Sequence, residues 1–187
     1  MKPDSRQGSQ RDFSIIMNTE ATIRHAVPED AAPLVEMFSA LYRESEFLLL
    51  EEDEFKLTAD EQENLIKANS GSTSRVLLVA EKEGKLVGFL GGTGGGFRRN
   101  RHSIKIAMGV LAEHQRQGFG RGLLNALLGW AKENRFRRVE LTVVEHNSKA
   151  KALYEDFGFE VEGLKQNALI IDGNSINEYC MARLIAS

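Results

Sequence analysis

The chain has 187 residues, 42% of them hydrophobic, with 27 acidic and 24 basic side chains and a formal net charge of -3. That length and balance suit one globular domain with its own core, and they argue against a global basic field that would draw the protein to nucleic acid. One cysteine, Cys180, excludes an intramolecular disulfide and a multi-cysteine zinc site, and no apolar run approaches the roughly 20 residues that span a bilayer.

Residues 1–10 are polar and patternless, and no apolar h-region follows the basic start. We therefore expect a cytoplasmic protein whose residues 1–18 are an extension outside a single domain of residues 19–187. Residues 21–26 alternate as a strand, and Pro28-Glu29-Asp30 opens a helix over residues 31–43, with Leu34, Met37, Phe38 and Leu41 on one stripe. Residues 44–54 are acidic and irregular. Thr58-Ala59-Asp60-Glu61 has the form of a capping box, predicting a second helix to about residue 69. Apolar runs at 75–81 and 86–92 joined by Lys82-Glu83-Gly84-Lys85 read as a hairpin. The glycine cluster at 91–96 and residues 97–102 read as a loop, and residues 103–111 as a strand. The period then changes to that of a helix over 118–134, with Phe119, Leu123, Leu127 and Ala131 on one face. A strand at 139–144 and a helix at 147–157 follow, the latter with Ala150, Leu153, Tyr154 and Phe157 on one face. Strands at 159–167 and 176–185, turning at Asp172-Gly173-Asn174, close the chain. The unit 103–144 is strand, helix, strand, so a right-handed crossover makes its strands parallel, while hairpins make the others antiparallel. The fold class expected is α/β, one mixed sheet with helices on both faces.

The junction Gln115-Arg116-Gln117-Gly118-Phe119-Gly120-Arg121-Gly122 stands between a strand and a long helix. The first N–H groups of a helix lack intrahelical partners, and the dipole adds partial positive charge there. Gly118 and Gly120 let the backbone approach an anion without an intervening Cβ, and Arg116 and Arg121 could add charge-assisted contacts to phosphate oxygens. A tight turn that merely needs glycines is the alternative. A dinucleotide fingerprint is excluded by Leu123 at its third glycine, and a Walker loop by Leu86 after Gly84-Lys85.

Gln115-x-x-Gly118-x-Gly120 resembles the Gln/Arg-x-x-Gly-x-Gly/Ala motif of the GCN5-related N-acetyltransferases (GNAT). Residues Asn147 to Phe159 are similar to that family's second motif, Asn-x-x-Ala-x-x-Leu-Tyr-x-x-x-Gly-Phe. The likeness runs over residues 21–185. Residues 47–54, 101–103 and 177–184, with Asn177-Glu178-Tyr179-Cys180-Met181 as final strand, resemble a bacterial branch of general acetyltransferases. The resemblance implies a mostly antiparallel sheet of six to seven strands with a splayed parallel pair. It implies acetyl-CoA as cosubstrate, an amine acceptor and a homodimer. Its coenzyme site would comprise Gln115 to Gly122, the backbone of Met108, Gly109 and Val110, and Asn147, with Tyr154 as general acid toward the sulfur. The chain departs from relatives at Ala112, where proline is common, at Lys105, where many have glutamate, and at Thr142, which holds the place of a glutamate in the protein-N-terminal enzymes. The general base is therefore open, with Glu140, Glu145 and His102 as weak candidates.

Apart from the motif, Tyr154 reads equally as a core tyrosine and Asn147 as a helix N-cap. The acidic stretch Glu44, Glu46, Glu51, Glu52, Asp53 and Glu54 could attract a cationic amine or be a solvated loop. The runs Arg98-Arg99-Asn100-Arg101 and Arg135-Phe136-Arg137-Arg138 are short, separate and set in an acidic protein, so they read as solvated charge, and no nucleic-acid or membrane partner is expected. His25, His102, His114 and His146 show no ligand spacing, so no metal is expected. A silent acyl-CoA-binding sensor is the alternative to an enzyme.

Overall fold

The computed structural model of the chain describes residues 14–18 and 21–186. Its elements are β1 (Ser14–Asn18), β2 (Ala21–His25), α1 (Ala31–Glu44), α2 (Ala59–Asn69), β3 (Arg75–Lys82), β4 (Lys85–Gly94) and β5 (Ser103–Val110), followed by α3 (Phe119–Glu133), β6 (Arg138–Val144), α4 (Ser148–Asp156), β7 (Glu160–Ile171) and β8 (Asn174–Leu184). The strands form one eight-stranded sheet in the order β1-β2-β3-β4-β5-β6-β8-β7. Every neighbouring pair is antiparallel except β5 and β6, which are joined by the α3 crossover and run parallel. This is the mixed α/β sheet expected, with one more strand. That strand, β1, comes from the segment expected outside the domain; it pairs with β2, and Ile15 packs against the core. Residues 1–13 of the same segment lie outside the described residues. No helix among the described residues is long and apolar enough to cross a membrane.

Strand alternation divides the core in two. Ile23, Leu78, Leu90, Ile104, Ile106 and Leu141 point to one face of the sheet, where Phe119, Leu123, Leu127 and Trp130 of α3 and Tyr154 of α4 cover them. Val79, Leu86 and Phe89 point to the other, under Leu34, Phe38 and Leu41 of α1 and Ile66 of α2. The capping box at the start of α2 forms as expected: Thr58 Oγ1 accepts from the Glu61 N–H at 3.3 Å, and Glu61 Oε2 accepts from the Thr58 N–H at 2.9 Å.

The glycine cluster corrects a sequence expectation. Gly91 to Gly94 are not loop but the end of β4. A Cβ on Gly92 would lie 2.8 Å from Ile104 Cδ1 and 2.9 Å from Val76 Cγ1, so glycine there is a packing requirement.

Arg24 ties three elements together. Its guanidinium donates to both carboxylate oxygens of buried Asp30, at 2.6 and 2.8 Å, and to Glu81 of β3 at 2.7 Å. Asp30 Oδ2 also accepts the Val27 N–H at 2.8 Å, which fixes the turn into α1. The hydrogen bonds to Asp30, more than any other contact, hold Arg24 in its charged form. Arg24→Met leaves the Asp30 carboxylate buried without its cation, an outcome that costs about 3–5 kcal/mol for a fully buried pair and about 2–3 kcal/mol in this partly exposed one. At this chain length the expected fall in Tm is about 5–10 °C by calorimetry.

Candidate active site

The parallel pairing of β5 and β6 is short. It runs through Ser103 and Arg138, Ile104 and Val139, and Lys105 and Glu140, and then stops. Each strand continues against its other neighbour, β5 to Val110 along β4 and β6 to Val144 along β8, so the two splay apart at their C-terminal ends. The Leu111 N–H donates to the Val87 carbonyl at 2.9 Å, turning the backbone groups of odd-numbered β5 residues toward β4. Those of Met108 and Val110 therefore face the gap, while Gly109 is turned to its partner Phe89. Main-chain donors and acceptors along an opened strand edge are what an extended ligand with amide groups can pair with.

The glycine-rich turn stands beside this edge. Gly118 is the N-cap of α3 and adopts φ 90°, ψ -4°, the left-handed region that glycine enters without a Cβ penalty. Arg116 precedes it, exposed and also at positive φ, 59°. The first bond of the helix runs from the Gly122 N–H to the Gly118 carbonyl at 2.9 Å, so the amides of Phe119, Gly120 and Arg121 are the orphan donors of the first turn. Phe119 itself is buried in the core, leaving only its backbone for a ligand. Gln115 Nε2 donates to the Val110 carbonyl at 3.2 Å, tying the turn to the splayed strand. Gln117 is held by Lys82 Nζ at 3.0 Å and donates to the Glu113 carbonyl.

A Cβ on Gly120 would lie 3.1 Å from Leu153 Cδ2 and 3.4 Å from Met108 Cε. The helix start, the splayed strand and α4 thus converge at one point, and the two sequence motifs meet there. Asn147 caps α4, its Oδ1 accepting the Ala150 N–H at 3.1 Å, while its own N–H donates to the Val144 carbonyl at the end of β6.

About two turns into α4, near its end, stands Tyr154, buried against the Phe159 ring with centroids 5.8 Å apart. Burial pushes its phenol up to about 12, because a phenolate there would lose its hydration. It therefore remains a neutral hydrogen-bond donor throughout the physiological range. The shift has a stability consequence with a definite sign. Stability from the neutral phenol is fully present below the ordinary value near 10 and is lost as pH rises through about 12. Between those limits wild type should lose up to about 2–3 kcal/mol that Tyr154→Phe does not lose, read as the difference in urea midpoints from pH 9 to 12.

Some expected ligands lie elsewhere. Arg121 does not turn toward the phosphate site: its Nη1 pairs with Asp156 at 2.9 Å and its guanidinium lies 5.1 Å from the Phe157 ring centroid. His102 and Glu140 stand at the paired end of β5 and β6, with Glu140 held by Arg138 at 2.7 Å. Glu140 is four residues, roughly 13 Å of strand, from Val144 at the open end. Glu145 is the one candidate base at that end, where Asn177 Nδ2 donates to it at 2.9 Å. Other site contacts carried no sequence signal. Glu44 Oε1, at the end of α1, accepts the Ala112 N–H at 2.6 Å across 68 positions, and Phe47 packs on His146 with centroids 5.4 Å apart. These bring part of the acidic stretch to the rim of the gap. Among the described residues no group of three or more His, Cys, Asp or Glu side chains could hold a metal ion.

Known proteins share this fold. Residues 35–159 match the acetyltransferase (GNAT) family. YhfO, an uncharacterized N-acetyltransferase of Bacillus subtilis strain 168, is 31% identical over 142 residues, covering 74% of this chain and 89% of that protein. The crystal structure of an acetyltransferase of the GNAT family from Streptococcus pneumoniae is 32% identical with a TM-score of 0.86, over 89% of this chain and 100% of that one. A GNAT superfamily phosphinothricin acetyltransferase from Sinorhizobium meliloti, in complex with acetyl-CoA, has a TM-score of 0.77 over 89% of both chains; at 21% identity the likeness is one of fold.

Proposed function

From membership of the acetyltransferase (GNAT) family, to which the chain belongs, we propose that the protein transfers acetyl from acetyl-CoA to a primary amine of a small molecule or protein. The observation that carries this proposal is the convergence of Met108, Gly120 and Leu153 where β5 leaves β6. The orphan amides at the start of α3 there lie beside the open edge of β5 and the Leu153 face of α4. The Sinorhizobium neighbour, in complex with acetyl-CoA, lends support on the cosubstrate.

In this scheme the orphan amides after Gly118 and the Arg116 side chain hold the diphosphate. The Met108 and Val110 backbones pair with the amides of the pantetheine arm, and Asn147 lies near its thioester end. The amine attacks the thioester carbonyl, a C–N bond forms, and the C–S bond breaks as the sulfur takes the electron pair. A lysine-like amine is almost wholly protonated at pH 7, a handicap of about 4–5 kcal/mol, so a base must take its proton. Glu145, at the open end of β6, is our candidate, acting directly or through water. Tyr154 steadies the departing sulfur by hydrogen bonding. The acidic rim that includes Glu44 and Glu46 favours approach of a cation.

A panel of primary amines and lysine peptides incubated with acetyl-CoA, read by mass gain of one acetyl group, tests the proposal. Turnover on at least one amine supports it; saturable acetyl-CoA binding with turnover on none assigns the chain to the silent sensor instead. We also place the enzyme in the cytoplasm, in keeping with its single cysteine, and as a homodimer. The exposed Val161, Leu164 and Ile170 on edge strand β7 offer apolar surface for a second copy, and sedimentation velocity distinguishes the two masses.

A further inference from the structure

The two basic runs that stand apart in sequence are joined by the fold. The His102 carbonyl accepts the Arg137 N–H at 2.9 Å and the Arg138 N–H at 3.2 Å, which lays the β4–β5 connection alongside the entry to β6. A Cβ on Gly94 would lie 2.9 Å from Phe136 Cζ, so the two segments are also packed face to face. Arg98, Arg99, Arg101, Lys105, Arg135 and Arg137 are all exposed at this pole. None of the six forms an ion pair among the described residues, whereas Arg138 is engaged by Glu140 and Glu162.

Two features make the pole more than solvated charge. Phe97 stands among the arginines with 79% of its surface exposed, an unusual exposure for so large an apolar ring. Beside it opens a cavity of about 280 Å³ lined by Thr93, Asn100, Ser103, Lys105 and Glu140 among others. Ser103 Oγ is buried there with no hydrogen-bond partner among the described residues, a cost that a ligand polar group would remove.

We propose that this pole is a docking surface for single-stranded RNA. A flexible strand can bring successive phosphates to the six cations while one base stacks on Phe97, the combination that such strands bind. The cavity distinguishes this partner from others. A lipid headgroup or an acidic peptide can neutralise the cations, but neither brings both a flat base for Phe97 and neutral donors and acceptors for a hollow whose Glu140 is already paired with Arg138. A nucleotide offers donors and acceptors together, and its ribose 2′-OH, both donor and acceptor, suits Ser103 and Glu140. From Ser103 to Val110 is seven residues of β5, roughly 23 Å, so bound RNA leaves the acetyl-CoA site open. The surface stands independently of acetyl transfer.

The test is fluorescence anisotropy of the full chain with a labelled oligouridylate about 20 nucleotides long. With all six cations engaged, the slope of log K against log salt is about -4, a loss of roughly 300-fold from 50 to 200 mM KCl. Arg98→Ala/Arg99→Ala/Arg101→Ala should reduce the slope to about -2, and Phe97→Ala should weaken binding about 5- to 150-fold. The matching deoxy strand should bind more weakly. Thermal midpoints and acetyl-CoA binding of the variants should match wild type; if the triple variant does not fold, Arg135→Ala/Arg137→Ala takes its place with an expected slope of about -3. Absence of binding at 50 mM salt overturns the proposal, as does a slope or affinity unmoved by these substitutions. So does phosphatidylserine vesicle or polyglutamate binding as tight as that of RNA.

Discussion

Replacing Tyr154 with phenylalanine should lower kcat for acetyl transfer about 100-fold or more while leaving KM for acetyl-CoA within about twofold. The ring is buried and packs on Phe159, and phenylalanine keeps that packing, so α4 and its cap at Asn147 stay in place. Only the hydroxyl is lost, and in the proposed mechanism its work falls at the moment negative charge reaches the sulfur. An interaction made chiefly in the transition state lowers kcat and spares ground-state binding. Burial to about 12 bears on what the hydroxyl can do. Against an unperturbed thiol near 8.5, complete proton transfer would be uphill by about 5 kcal/mol. Desolvation in the same pocket raises the thiol as well, narrowing that gap. Hydrogen bonding during C–S cleavage, with the proton passing late, is consistent with both values. The phenol should also impose no alkaline limb on the pH–rate profile below about pH 11. Thiol release followed colorimetrically measures both quantities, and a kcat within threefold of wild type would remove Tyr154 from the chemistry.

Much of the scaffold was legible because it is local. The stripe Phe119, Leu123, Leu127 reads as a helix face from its spacing alone, and it covers the sheet as that spacing requires. The strand–helix–strand order of β5, α3 and β6 makes the parallel pair a matter of handedness. The place where that pair stops could not be read. It depends on β4 and β8 holding β5 and β6 in their own registers past Lys105 and Glu140, a balance among four strands distant in sequence. Residues 91–94 look like a loop in one dimension because the reason for Gly92 and Gly94 is three-dimensional, the approach of Ile104, Val76 and Phe136. Arg121 fits a phosphate ligand until Asp156 and Phe157 of α4 are set beside it. The two arginine runs looked separate for the same cause, since the hydrogen bonds joining them cross a whole βα unit.

Gly118→Val should raise the Kd for acetyl-CoA about 100-fold or more, the counterpart in binding to the Tyr154 effect on turnover. At φ 90° a β-branched residue is a steric outlier, at a cost of about 1–2 kcal/mol if the turn holds. The cheaper response is for the turn to change shape, which re-aims the amides of Phe119, Gly120 and Arg121. Loss of even two charge-assisted contacts to a diphosphate, at about 1.5–3 kcal/mol each, accounts for the expected factor. The helix should survive, because Leu123, Leu127 and Ala131 are fully buried downstream of the change. The unliganded Tm should therefore fall by only a few degrees, while the rise in Tm on adding acetyl-CoA disappears. Gly118→Asn separates backbone shape from the mere presence of a side chain. Asparagine tolerates the left-handed region, so that variant should recover most of the affinity in calorimetric titrations. If valine instead left Kd within threefold, the amides at the start of α3 would not be what grips the coenzyme, and the glycine would be a requirement of the turn alone.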